Sequence, residues 1–204
     1  MALAAIDLAQ IFELGGSVLE PTAGQGALLI ASGPKSALVN EINPDRVAAL
    51  EAQGFKVASQ NAATVKFPPK SVDVVLANPP YGQTGETYTV DGYTTKQIDH
   101  AISLNALQAM KDDGRAVLLI GGPAGVNVDS RRDAYRGEAK RTFFSKLYNE
   151  YNVTDHFTVA GDLYAKQGTK FPVDVIVIDG RKQNATKRQL PAAAVPRMIT
   201  TWDE

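Results

Sequence analysis

The chain has 204 residues, 44% of them hydrophobic and 21% charged, a balance that fits one globular domain and contains no apolar run near the roughly 20 residues that span a bilayer. It has no cysteine, which excludes a disulfide framework, a thiolate zinc site and a thiol nucleophile, and so excludes cytosine C5 methylation through a cysteine adduct. The 21 Lys and Arg balance 22 Asp and Glu, so any nucleic-acid contact has to come from a local patch.

Met1 to Leu14 is mildly amphipathic and carries Asp7 and Glu13 without a basic n-region, so it reads as a first helix and not a signal peptide. Short apolar runs then alternate with helical patterns, as in a parallel sheet wrapped by helices. Ser17 to Glu20 is the first strand, followed by a Gly-rich turn and a short helix near Ala27 to Ala31. Ser36 to Glu41 is the second, after which Asn43-Pro44-Asp45 supplies an N-cap, a proline at the first helical position and an early acid, in a helix ending at Gly54. Val57 marks a short third strand and Ser71 to Ala77 the fourth, which stops abruptly at Asn78-Pro79-Pro80-Tyr81. Gly82 to Thr95 lacks a sustained period and reads as a long loop. Ile98 to Met110 has a helical apolar pattern closed by Asp112-Asp113-Gly114, and Arg115 to Gly121 is a fifth strand. An irregular stretch from Gly122 to about Glu138 precedes a helix (Lys140 to Tyr148) and two strands, Val153 to Ala160 and Val173 to Asp179, for seven in all. Residues 1–182 make one α/β domain, and 183–204 read as a tail or linker.

Glu20-Pro21-Thr22-Ala23-Gly24-Gln25-Gly26 joins a strand to a helix, where glycines let the backbone approach a ligand. Leu29 stands where the dinucleotide fingerprint needs its third glycine, which favours a ligand without a pyrophosphate. About 15 residues on, Glu41 ends the second strand, where a carboxylate accepts both hydroxyls of an adenosyl ribose, with Ile42 beside it. Asn61 and Ala62 follow the third strand, where Asn61 either bonds an adenine ring or serves as a turn residue; Phe67 or Val65 would flank that ring.

Asn78-Pro79-Pro80-Tyr81 is the most specific signal. The lone pair of an adenine amine is delocalised into its ring. Two acceptors aimed at its hydrogens, the Asn78 oxygen and the Pro79 carbonyl, would draw the nitrogen toward a tetrahedral geometry. The prolines stiffen the backbone that carries them, and Tyr81 offers a ring on which an extruded base stacks.

With Glu20-Pro21-x-x-Gly24-x-Gly26 as cofactor loop and Asn78-Pro79-Pro80-Tyr81 as catalytic tetrapeptide, the chain resembles amino-methylating class I methyltransferases, and the Glu-Pro form of the loop is similar to that of DNA adenine methyltransferases. Ile98-Asp99-His100, Asp112 to Val117, Tyr151-Asn152-Val153 and Leu163 to Gly168 resemble the methyltransferase part of large phage and plasmid anti-restriction proteins joined to a strawberry-notch-type helicase. The resemblance implies a Rossmann-like, seven-stranded, mostly parallel sheet with helices on both faces and a reversed last hairpin. It implies S-adenosyl-L-methionine as cofactor, with Asn78 touching both cofactor and target, no metal, a DNA substrate and a cytoplasmic setting. Only 16 residues precede the first strand and no target-recognition domain is evident, so recognition is expected from further domains or subunits of a longer protein.

For nucleic acid, Arg131, Arg132, Arg136, Lys140 and Arg141 form the candidate patch, diluted by Asp129, Asp133 and Glu138; a solvated helix face is the plainer reading. The resemblance adds Lys166, Gln167 and Lys170 near the target base, while Tyr88 and Tyr93 either wedge or pack. His100 and His156 lack metal-like spacing and read as a helix-surface and a strand-edge residue. Two alternatives stay open: methylation of a ribosomal RNA base or a release-factor glutamine amide, and a cofactor-binding module kept for docking.

Overall fold

The computed structural model describes residues 1–11, 15–125, 127–164, 171–184 and 195–201. Helix α1 (Ala2–Leu8) leads to β1 (Val18–Glu20), a 3-10 turn (Ala27–Leu29), β2 (Ala37–Asn40), α2 (Pro44–Ala52), β3 (Val57–Ala58) and β4 (Val72–Ala77). Strands β5 (Gln83–Val90) and β6 (Tyr93–Gln97) follow, then α3 (Ile98–Leu107), β7 (Met110–Gly121), α4 (Val128–Arg136) and α5 (Glu138–Glu150). β8 (Tyr151–Val159), the single turn α6 (Gly161–Tyr164), β9 (Val173–Arg181) and β10 (Arg197–Ile199) complete the order.

The main sheet runs β3-β2-β1-β4-β7-β9-β8-β10. All its pairings are parallel except those of β9, which runs antiparallel to both neighbours and so forms the reversed last hairpin. It has eight strands where seven are expected. The eighth, β10, comes from the segment read as a tail, and the Ala160 amide, donating to Ile199 O at 3.0 Å, seats it at the edge.

Period-two alternation sorts the strand side chains onto two buried faces. Val75, Ala77, Leu118 and Ile176 face one way and pack with Leu104 and Leu107 of α3 and Phe143, Phe144 and Leu147 of α5. Val74, Leu76, Val117 and Val175 face the other way and meet Ala5 and Ile6 of α1. Leu104 and Leu107 are fully buried, so truncation to alanine at either would cost about 2–5 kcal/mol. α2 behaves as its sequence dictates: the Asn43 side chain accepts from the amides of Asp45 (3.0 Å) and Arg46 (3.2 Å), and Gly54 sits just past its end.

Three stretches depart from expectation. Gly82 to Thr95 is not a loop: β5 and β6 pair as an antiparallel hairpin. Tyr88 and Val90 point inward from it, and Lys146 of α5 holds its tip, donating to Asp91 O (3.1 Å) and Asp91 Oδ2 (2.9 Å). The stretch from Gly122 to Glu138 contains α4, capped by Asn127, whose side chain accepts from the Ser130 amide at 2.9 Å. The fifth sheet strand starts at Met110 and not at Arg115, its register shifting between Val72 and Val74 of β4.

Candidate active site

Parallel strands place their carboxyl ends along one edge, and ligands of open α/β sheets bind there, where the strand order reverses. That point lies at β1: the chain moves outward to β2 and β3, then crosses back to β4 on the other side. The Gly-rich loop leaves β1 at this place and the Asn-Pro-Pro-Tyr tetrapeptide leaves the neighbouring β4, Leu19 standing opposite Val75.

On the cofactor-loop side, Glu41 is 5% exposed and accepts from the Gly24 amide (Oε2, 2.8 Å) and the Asn43 amide (Oε1, 2.8 Å), tying the loop to the start of α2. Each carboxylate oxygen has two acceptor positions, so Glu41 keeps accepting capacity on both. Gly26 has φ +83°, and a Cβ there would meet Leu50 at 3.0 Å; Gly24 has open space where a Cβ would stand. Asn40 was missed from sequence and is 1% exposed. Its Nδ2 donates to Pro21 O (2.9 Å) and Gln60 O (3.0 Å), and its Oδ1 accepts from the Gln60 amide (3.1 Å), so one side chain joins the loops after β1, β2 and β3. The signal was a polar residue next to Glu41 at the end of an apolar strand.

Glu20 is 2% exposed; burial, and then the charge of Glu41, push its pKa well above the usual carboxylate range. Its Oε2 and the Thr22 hydroxyl lack hydrogen-bond partners among the described residues. Pro21, Ala23 and Ala62 are buried, and Ile42 is an exposed apolar side chain (64%) next to Glu41. Asn61 is exposed and its side chain accepts from the Ala63 amide at 3.0 Å, a turn role. Phe67 lies in the main core with Val65 half-buried against it.

At the tetrapeptide, Asn78 and Tyr81 are half-buried, Pro79 buried and Pro80 exposed. The Tyr81 hydroxyl donates to Asn78 Oδ1 at 2.9 Å, which fixes which amide atom is the acceptor. Tyr81 also packs on the apolar face that includes α1. Phe171, 65% exposed, was missed as well; it precedes Pro172, whose carbonyl accepts from the Gly122 amide at 2.8 Å, on the edge that carries Tyr81. Its signal was an aromatic residue two positions before β9, ahead of Pro172.

The expected basic patch does not form as a unit. Arg131 is buried (4% exposed) and donates to Thr158 Oγ1 (2.8 Å) and Pro196 O (2.6 Å), so it secures β10 and is not presented to phosphate. Lys140 donates to Gly121 O (2.5 Å) and faces Asp174 at 3.6 Å. Arg132 and Arg136 pair with Asp129 (2.6 Å) and Asp133 (3.9 Å), while Arg141 is exposed. Lys166, Gln167 and Lys170 lie outside the described residues.

The histidines are not surface residues. His100 stacks on Phe143 (4.0 Å between centroids) and burial drives its pKa down to about 3. His156 stacks on Phe144 at 4.8 Å and meets the Tyr148 hydroxyl at 2.9 Å. Tyr88 packs among Ala62, Ala63, Ala101 and Ile102, and Tyr93 reaches Ala139 O at 3.3 Å; both serve packing. Asp174 is fully buried: burial pushes its pKa up, but His156, Lys140 and Tyr135 hold it below the usual value.

No family model and no curated protein matches this chain. Among solved structures it is similar to a modification subunit assigned to a type I restriction enzyme of Vibrio vulnificus (TM-score 0.64, 14% identity), covering 88% of this chain and 44% of that one. It is similar to a Listeria monocytogenes protein assigned as a class I S-adenosylmethionine-dependent methyltransferase (TM-score 0.62, 14% identity), covering 97% of this chain and 62% of that one. Geranyl diphosphate methyltransferase in complex with S-adenosylmethionine matches at TM-score 0.58 and 10% identity, covering 88% of this chain and 84% of that one. The chain thus spans less than two thirds of the first two proteins. A seven-strand pattern with one reversed strand, extended by β10, together with these likenesses, establishes that the chain has the Rossmann-like fold of class I methyltransferases.

Proposed function

We propose that this chain transfers a methyl group from S-adenosylmethionine to the exocyclic amine of adenine in DNA. The observation that carries the reading is the position of Asn78-Pro79-Pro80-Tyr81 at the carboxyl end of β4, beside the Gly-rich loop of β1 at the reversal of strand order.

The residues around that loop fit the cofactor. Glu41 keeps acceptor positions for ribose hydroxyls, exposed Ile42 offers an apolar face to an adenine ring, and Gly24 leaves open space. The orphaned Glu20 Oε2 and Thr22 Oγ1 are buried polar atoms of the kind a polar ligand satisfies. When bound, S-adenosylmethionine supplies an electrophilic methyl group.

The protein supplies orientation. Asn78 Oδ1 and the Pro79 carbonyl accept the two N–H groups of the amine, which localises the nitrogen lone pair away from the ring. The Tyr81 hydroxyl, donating to Asn78 Oδ1, orients that oxygen before the amine arrives. A flipped base stacks on the aromatic side chains of this edge, Tyr81 and Phe171. Recognition of a DNA sequence is assigned to further domains or subunits, in keeping with a chain that spans 44% of the Vibrio subunit. A role in anti-restriction or self-modification follows from the same reading.

The test incubates the protein with labelled S-adenosylmethionine and, in parallel, unmethylated DNA, ribosomal RNA and release factor. Label is expected in DNA as methyladenine and should fall at least about 100-fold in Asn78→Ala. Label in RNA or protein alone sinks the DNA reading; cofactor binding without any transfer points to a docking module.

A further inference from the structure

Gly121 ends β7, and side chains from two helices grip its peptide groups. Asp99, in the first turn of α3, accepts from the Gly121 amide through Oδ2 at 3.1 Å. Lys140, near the start of α5, donates to the Gly121 carbonyl at 2.5 Å. Asp99 is 3% exposed, and its other oxygen has no hydrogen-bond partner among the described residues. Lys140 is backed by Asp174, whose Oδ1 accepts from the hydroxyls of Tyr135 (2.7 Å) and Thr158 (2.8 Å).

What this grip holds is a wall beside Tyr81. A Cβ built on Gly121 would stand 3.3 Å from Tyr81 Cβ and 3.5 Å from its Cγ. Tyr81 in turn donates to Asn78 Oδ1. Close neighbours therefore run from the buried Asp174 through Lys140 and Gly121 to Tyr81, and from its hydroxyl to Asn78 Oδ1.

We propose that Asp99 and Lys140 are positioning residues of the transfer site: by fixing the Gly121 peptide they set the wall against which Tyr81 rests and, through its hydroxyl, the direction of the Asn78 acceptor. The inference rests on Asn78 and Tyr81 being that site. Space at 121 is tight: an alanine methyl would stand 3.3 Å from Tyr81 Cβ, so Tyr81 would have to give by a few tenths of an ångström. A displacement of roughly 1 Å costs about 100-fold in rate, so the smaller shift is worth about tenfold. Burial raises the Asp99 pKa, opposed by the Gly121 amide and Lys140; in either protonation state an oxygen remains for that amide. Asparagine should therefore do the same work.

The experiment compares Gly121→Ala, Asp99→Ala and Asp99→Asn, each alone and combined with Tyr81→Ala, using whichever acceptor the wild type labels. Gly121→Ala and Asp99→Ala are expected to lower kcat about tenfold with the calorimetric Kd for cofactor unchanged, and Asp99→Asn to restore the rate. In the Tyr81→Ala background both losses should shrink to about twofold or less, because the effect acts through that ring. Equal losses in the two backgrounds, or losses that track the cofactor Kd, overturn the proposal. A readout independent of turnover is the fluorine resonance of 3-fluorotyrosine at position 81, assigned with Tyr81→Phe: it should move in Gly121→Ala and Asp99→Ala and stay in Asp99→Asn, and a line that never moves overturns the proposal. If the label enters RNA or protein, the DNA assignment fails while the positioning claim is scored on that acceptor.

Discussion

The two halves of the candidate site are built in different ways. On the β1–β2–β3 side, loops are laced to one another by side chains bonding backbone: Asn40 reaches Pro21 and Gln60, and Glu41 reaches Gly24 and Asn43. On the β4–β7–β9 side, Tyr81 lies beside Gly121, whose peptide groups are held by side chains on helices behind it, Asp99 and Lys140. The first arrangement bonds side chains at one strand end directly to the backbone of neighbouring loops; the second braces a strand-end peptide from helices packed behind it. Under the proposed function, the first side has one ligand shape to hold, whereas the second would admit and release the methyl acceptor.

Damage on the laced side should therefore appear in stability and cofactor affinity together. Asn40→Ala leaves the buried Pro21 carbonyl, and the partly buried bonding groups of Gln60, without this partner. It should cost about 2–4 kcal/mol by urea unfolding and weaken cofactor binding in parallel. Full stability in this variant would break the contrast. Tyr81→Phe keeps the ring and loses the bond to Asn78 Oδ1, so kcat should drop roughly threefold to tenfold with the cofactor Kd and unfolding midpoint unchanged. A changed cofactor Kd would show that the two halves are not separable.

The smallest effect serves as a control at the opposite end of the strands. Asp73 pairs with Lys111 (2.5 Å) and accepts from the Ser17 amide (2.9 Å) and hydroxyl (2.7 Å). The Lys111 bond, then the Ser17 bonds, pull its pKa from 3.8 down to about 2. Being depressed in the folded state, this group stabilises fully at pH values above 3.8 and loses that contribution as pH falls toward 2. Its side chain is 40% exposed, so Asp73→Asn should cost less than about 1 kcal/mol at pH 7 and nothing measurable near pH 2, without touching either half of the site.

The same contrast explains what was legible in the sequence. The loop after β1, the Asn43 cap and the abrupt end of β4 were readable because their causes are local: glycines, a proline and an Asx side chain act within a few residues. The hairpin was missed because most of β5 is exposed and only Tyr88 and Val90 alternate inward. Asp91-Gly92, with φ of +46° and +73°, was a turn signal between Val90 and Tyr93 that deserved more weight than the absence of period. Arg131, His100 and His156 were misjudged for the opposite reason. Their partners, Thr158 and Pro196, Phe143, and Phe144, lie far along the chain, and nothing local distinguishes a buried Arg or His from a solvated one.

The hairpin leaves and rejoins the body at a single place, since the Ile98 amide donates to the Gly82 carbonyl at 3.0 Å and Gln83 stands opposite Gln97. A detour pinned at its neck in this way fixes the points from which Asn78 and Asp99 diverge, while the packing of Tyr88 and Val90 seats the hairpin itself on the body. Its outward-pointing residues can therefore change without moving either end, which makes the hairpin's exposed face the place beside the site where variation disturbs the fold least.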